Sequence, residues 1–223
     1  MNTSTLRILD ALDAVQAAII DNEADIESLD RAIGDGDHFI NVRRGAEVLV
    51  GMRDELLPLL PAAAFQKIGM KLLSTIGGAS GPLISSCFLA MGKALAGNET
   101  PDRQEWASAF AAGVDAIKAR GKADVGEKTM LDVLIPVSRQ WMALAEAGTP
   151  LPALCQRLTD DAGAHMLATR DMLATKGRAA FLGERALGHI DPGAKTCQVA
   201  ITAVCAVLLQ AQPQSTSTTS TAP

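Results

Sequence analysis

Apolar residues recur at intervals of three and four along almost the whole chain, and alternating apolar and polar runs of the strand type are hard to find. The pattern predicts an all-α fold. A first helix is expected from Ser4 to Asp21, with Leu6, Leu9, Leu12, Val15 and Ile19 on one face and Asp10, Asp13 and Gln16 on the other. An acidic loop should follow it. The second helix is expected from His38 to Leu57, stopping before Pro58, and the third from Ala62 to Ile76, carrying Phe65, Ile68, Met70, Leu72 and Leu73. A fourth spans Leu83 to Leu95 and ends at Gly97; a fifth opens with Thr100 as N-cap and Pro101 in its first turn and runs to Arg120. The sixth covers Lys128 to Ala147, with Pro136 able to kink it, the seventh Leu151 to Thr175, and the eighth Ala194 to Gln210.

Tight Gly/Pro turns between these segments favour antiparallel neighbours, so residues 1–211 are expected to form one up-and-down helical domain. Glycine-rich loops follow helices one, three, five and seven. In an up-and-down arrangement all four lie at the same end, which is the sequence's own argument for a single site. No repeat of about 20 to 50 residues marks a solenoid. Residues 212–223, QPQSTSTTSTAP, contain nothing apolar larger than alanine and are expected to be disordered.

Composition narrows the partners. The chain is 48% hydrophobic over 223 residues, enough for a substantial core, and its net charge is −5 with no tyrosine. Nucleic acid is not an expected partner, because neither a basic face nor stacking aromatics are available. No membrane is expected either: the longest apolar run, Val199 to Leu209, is interrupted by Thr202 and falls short of the roughly 20 residues a span needs. The N-terminus lacks a basic stretch followed by an apolar one, and Cys87, Cys155, Cys197 and Cys205 form no CxxC pair. A cytoplasmic protein with buried thiols is expected.

The candidate chemistry starts at Leu29–Asn41, LDRAIGDGDHFIN, where three aspartates fall within eight residues with two glycines between them. Such carboxylates repel unless a cation is supplied, and Gly34 and Gly36 permit the positive φ values that would turn them inward. A hard cation such as Mg²⁺ suits this oxygen set, whereas an EF-hand does not: started at Asp30 it has Ala32 at the third ligand position, and started at Asp35 it has Ala46 at the last. A solvated acidic turn capping the next helix is the other reading. Gly77–Pro82, GGASGP, offers unobstructed backbone N–H groups to phosphate or is simply a tight connection; it lacks Walker spacing. Arg178, and Lys128 with Thr129, either face an anion or are surface cations, and His38 either contacts a nucleotide or stabilises its loop. His165 reads as structural, and no Ser/His/Asp or Cys/His arrangement is discernible.

Four stretches taken in order, LDRAIGDGDHFIN, LLSTIGGASGPL, ARGKADVGEKTMLDVLIP and KGRAAFLGERALGHIDPGAK, closely resemble the DhaL (Dak2) family. This is the nucleotide-binding L subunit of bacterial dihydroxyacetone kinases, homologous to the C-terminal domain of single-chain ATP-dependent kinases. The resemblance covers about residues 5–210 and implies a barrel of eight antiparallel helices with nucleotide at one end. It implies that Asp30, Asp35 and Asp37 hold two Mg²⁺ ions bridging the phosphates of ADP or ATP. By the same mapping His38, Phe39, Ile40, Asn41, Ala79, Ser80, Gly121, Met130, Arg178, Asp191, Pro192 and Gly193 line the nucleotide site.

The family also implies a division of labour. The ketose is held as a hemiaminal on a histidine of a separate DhaK-type K subunit, which supplies the acid and base groups, so no catalytic residue is expected on this chain. The phosphoryl donor is ATP, or a DhaM-type phosphotransferase-system protein recharging bound ADP, and a homodimer is compatible with the family. Departures occur at Phe39, where a small residue is frequent, and at Ala180–Phe181, where the family has Ser-Tyr. They leave dihydroxyacetone, erythrulose and other short ketoses open as substrates. Two other readings stand beside the kinase subunit: a regulatory partner of a transcription regulator, and a metal-dependent phosphohydrolase.

Overall fold

The computed structural model describes residues 2–78 and 80–211, and among these there is no strand. The tail 212–223, expected to be disordered, lies outside the described residues, as does Ala79. The described residues form ten helices: α1 (Thr3–Asp21), α2 (Glu23–Ile33), α3 (His38–Val50), the single turn α4 (Arg53–Leu56), α5 (Pro61–Thr75), α6 (Ser80–Ala94), α7 (Arg103–Gly121), α8 (Leu131–Glu146), α9 (Leu151–Ala168) and α10 (Pro192–Gln210). Two 3₁₀ segments, Thr169–Asp171 and Ala179–Ala186, lie between α9 and α10.

The helices pack in chain order. α1 packs on α3, α3 on α5, and each of α5 to α9 on its successor, after which α10 returns to α1 and closes the circuit. α2 stands outside this order, against α3, α10 and the second 3₁₀ segment. One core cluster gathers Leu9, Leu49, Leu56, Phe65, Ile68, Leu72 and Leu95, with the Phe65 ring meeting Trp106 edge-on at 6.0 Å. A second joins Val133, Val137, Leu154, Leu158 and Met166 from α8 and α9 to Ala194 and Cys205 of α10. Helix α10 is long and apolar enough to cross a membrane by length and composition. Here it packs on α1, α2, α8 and α9, burying Val199, Ala203 and Cys205. All four cysteines are free, and burial pushes the Cys87 thiol up to about 12.

Several boundaries differ from the sequence reading, each for a local reason. The acidic loop after α1 is half helix: α2 buries Ile26, Asp30 and Ile33, a stripe too narrow to stand out among its charged neighbours. The expected helix from His38 to Leu57 breaks at Gly51–Met52, where Met52 turns inward and α4 then buries Leu56. Helix α7 is capped by Asp102 rather than Thr100, through a reciprocal capping box with Glu105. Helix α6 starts at Ser80, ahead of Leu83, because Pro82 falls in a first turn whose N–H groups have no helical partner. Helix α8 starts at Leu131 rather than Lys128, whose φ of 59° is left-handed. Helix α9 ends at Ala168 and tightens into a 3₁₀ turn well before Thr175, and α10 starts at Pro192, with Asp191 as its cap.

Candidate functional site

The last turn of α2 and the short link to α3 place the three aspartates together. Ligand oxygens of Asp30, Asp35 and Asp37 all lie within 4.8 Å of one another, Asp30 buried and the other two exposed. The two glycines make this possible in different ways. Gly36 has a φ of 80°, as expected, but Gly34 is extended at φ −113°, and it is needed because a Cβ there would overlap the Asp30 carboxylate. Asp30 Oδ2 accepts from the His38 backbone N–H at 2.9 Å, fixing the first turn of α3 against the end of α2. Burial raises the Asp37 carboxyl above its ordinary range, helped by a bond to Asp35 and by the charges of Asp35 and Asp30. Three carboxylates brought this close, with oxygen as their only donor type, fit a hard divalent cation.

His38 ties this cluster to α10. Its Nε2 is 2.9 Å from Thr196 Oγ1, and the Thr196 hydroxyl donates to the Pro192 carbonyl at 2.9 Å. With its single proton committed there, the hydroxyl accepts from Nε2–H. Burial lowers the His38 pKa, against the pull of Asp30 and Asp37. At the start of α10, Asp191 Oδ2 accepts from Ala194 N at 2.7 Å. Burial pushes its carboxyl up to about 7, opposed by the N–H groups of Ala194 and Gly193 and by the charge of Lys128. A Cβ on Gly193 would stand 3.5 Å from that of Met130, so the beginnings of α8 and α10 meet here.

A cation closes the other side. Arg178 Nε pairs with Asp35 Oδ2 at 2.7 Å, and beside it Ala179 and Ala186 pack with Ala174 on Ile33 of α2. Burying Ile33 stabilises this apposition by roughly 1.5–3 kcal/mol. The remaining expected residues are placed less directly. Phe39 is buried among Ile19, Ile26 and Val199, so its side chain belongs to the core, while Ile40 is half exposed and Asn41 bonds to the Asp37 side chain. Ser80 donates to the Gly77 carbonyl of its own turn at 3.4 Å. Gly121 ends α7 beside Leu83, which shares an apolar cluster with Met130.

Three residues gain roles that the sequence reading did not give them. Lys128, read as anion-facing or as a surface cation, is 1% exposed and donates to the carbonyls of Thr169 and His189, each at 2.5 Å, and of Arg170 at 3.3 Å. Asp132 is buried in the first turn of α8 and holds the preceding loop, accepting from Gly126 N at 2.5 Å and Thr129 N at 2.7 Å. The Thr-x-x-Asp spacing of Thr129 and Asp132 is a capping signature that would have located it. Glu127 accepts from Asp124 N at 2.7 Å and from Thr175 Oγ1 at 2.9 Å, joining the α7–α8 loop to the approach to Arg178.

A profile of the DAK2 domain matches residues 32–206, most of the chain. The chain belongs to the DAK2 family. Within that family it is 44% identical over 176 residues to the Listeria innocua protein named PEP-dependent dihydroxyacetone kinase 1, ADP-binding subunit DhaL, covering 78% of this chain and 82% of that one. The Escherichia coli ADP-binding subunit DhaL of PEP-dependent dihydroxyacetone kinase is 38% identical over 173 residues, covering 76% and 80%. Among solved structures, the dihydroxyacetone kinase of C. freundii in complex with AMP-PNP and Mg²⁺ superposes with a TM-score of 0.69 at 27% identity over 89% of this chain. This DAK2 chain spans about a third of that kinase, at 33% of its length. These relatives are dihydroxyacetone kinases or their subunits, and they are phosphotransferases.

Proposed function

We propose that this chain is the nucleotide-carrying subunit of a dihydroxyacetone-type kinase, and that it passes the phosphoryl group to a short ketose held covalently on a separate K subunit. The observation that carries the reading is the convergence of Asp30, Asp35 and Asp37 beside Arg178, at the starts of α3 and α10, in a DAK2 chain. The closed circuit of long helices is, on this reading, the family's eight-helix barrel, with α2 and the 3₁₀ segments gathered at its nucleotide end.

Two Mg²⁺ ions held by Asp30, Asp35 and Asp37 would neutralise charge on the phosphates of ADP or ATP. The chain's own groups do the rest. Backbone N–H groups at the start of α3 and around Ser80 present partial positive charge to phosphate, and the Arg178 guanidinium offers a planar pair of donors. Met130, Gly121 and the Asp191–Gly193 turn wall the nucleotide, and Pro192 fixes Thr196 and through it His38. The backbone of His38 to Asn41 completes the lining on this reading, with the Phe39 side chain in the core. Placement and electrostatics are the chain's whole contribution to phosphoryl transfer, so no general base is assigned to it. A phosphotransferase-system DhaM-type protein acting through bound ADP is the favoured donor, since the two DhaL relatives named above belong to PEP-dependent kinases. The site of action is cytoplasmic.

The test mixes the purified chain with ATP or a phosphorylated donor protein, Mg²⁺, and dihydroxyacetone or erythrulose, with and without the cognate K subunit, and follows sugar phosphate. Turnover is expected only when both subunits are present. Turnover by this chain alone, at a rate the K subunit does not raise, would overturn the assignment.

A further inference from the structure

We propose that Lys128 is a positioning residue for the nucleotide site: it pins the base of the excursion between α9 and α10, and so sets Arg178, without itself touching the nucleotide. The proposal rests on reading this end of the molecule as a nucleotide site. An ammonium has three N–H donors and no acceptor. In Lys128 all three are committed to main-chain carbonyls, those of Thr169, Arg170 and His189, and the side chain is almost wholly buried. No donor remains for a phosphate.

The three carbonyls stand at the two ends of one excursion. Thr169 and Arg170 leave α9, and His189 returns just before the cap of α10. Two further bonds close the same neck: Gly188 N–H to the Arg170 carbonyl at 2.9 Å, and Asp191 N–H to Thr169 Oγ1 at 3.0 Å. The preceding residue, Glu127, holds the excursion farther along, through Thr175 Oγ1 and through Lys176 Nζ at 3.8 Å. Arg178 follows two residues later and reaches Asp35. Two consecutive residues of the α7–α8 loop thus anchor the segment that delivers the guanidinium, one at its neck and one on its approach.

The local cost shows that the arrangement is specific. Lys128 holds a left-handed φ of 59°, which a non-glycine residue seldom adopts, and an ammonium removed from water must have its protons bonded. A lysine there only as a surface charge would keep its ammonium in water and need no carbonyl partners.

The experiment uses the full chain with Lys128→Met, Arg178→Met and the double variant, reading Mg²⁺-ADP affinity by calorimetry, Mn²⁺ affinity without nucleotide, and amide exchange by mass spectrometry. Lys128→Met is expected to weaken Mg²⁺-ADP binding about tenfold while leaving Mn²⁺ binding unchanged, and to add little once Arg178 is gone. Faster exchange at the Gly188 and Asp191 amides is expected in the same variant. Wild-type affinity in Lys128→Met, or losses that simply multiply in the double variant, would overturn the proposal. Should the parent chain bind no Mg²⁺-ADP, the functional reading fails, and the exchange arm still decides the pin: unchanged protection at Gly188 and Asp191 would overturn it. If Lys128→Met does not fold, Glu127→Ala releases the second anchor from a partly exposed position. A loss of about threefold is then expected, and unaltered affinity and exchange count against the pin.

Discussion

The guanidinium Nε of Arg178 lies 2.7 Å from Asp35 Oδ2, so a cation delivered by the excursion before α10 neutralises a carboxylate delivered by the link after α2. The two groups are far apart in sequence and are largely open to solvent, with 71% and 37% of their side chains exposed. An exposed pair of this kind contributes about 0–1 kcal/mol to stability. Its significance lies in what each partner can otherwise hold, a cation for Asp35 and an anion for Arg178.

Arg178→Met should therefore separate binding from folding. Mg²⁺-ADP affinity is expected to fall about tenfold, the loss of one charge-assisted contact, while the melting temperature of the free chain falls by no more than about 4 °C. Calorimetry and a thermal melt on the same sample check both halves. A large drop in melting temperature would show that the pair is structural.

Asp35→Asn and Asp37→Asn should abolish Mg²⁺-nucleotide binding and leave helical content unchanged. Both residues are exposed, and removing one charge relieves the mutual repulsion of the three carboxylates. Circular dichroism reports the helices and calorimetry the ligand. ADP affinity equal to that of the parent in either variant would remove the metal assignment.

Mg²⁺ with ADP should raise the melting temperature. A ligand bound only by the native state adds about 2.7 kcal/mol when present at a hundredfold its Kd. In a chain of this size that corresponds to roughly 5–10 °C. No shift at saturation would argue against a nucleotide site at this end.

The stability of the free chain should fall as pH rises from about 4 to about 7, through Asp191. Its folded carboxyl is pushed from 3.8 to about 7, chiefly by burial, so across that window the native state holds a proton the unfolded chain has released. The contribution favours folding fully below the lower value and is lost above the upper one. Asp191→Asn keeps an acceptor for the Ala194 N–H and has no charge to bury, so it should stabilise the free chain more at pH 8 than at pH 5. An equal effect at both values would show that Asp191 titrates normally.

The long helices were legible because each buries an apolar stripe that repeats over several turns, as α5 does through Ala64, Phe65, Ile68 and Leu72. Helix α2 was not, since three buried positions in eleven residues rich in Asp and Glu resemble a loop. The aspartates stood out because like charges at close spacing demand an explanation. Lys128 did not, because sequence spacing cannot show which carbonyls will surround an ammonium. Glycine carried only half of its message: a positive φ was readable at Gly36, whereas the close approach at Gly34 depends on where the Asp30 side chain points.

The bond from His38 to Thr196 joins residues 158 positions apart. Together with the return of α10 to α1, it ties the first and last helices of the circuit into one structural unit. The aspartates are translated before the helix that orients their neighbouring imidazole, so His38 is set only once α10 has been made and has packed back against α1. Contacts of such separation also slow folding, since the loop they close must be ordered before it is stabilised.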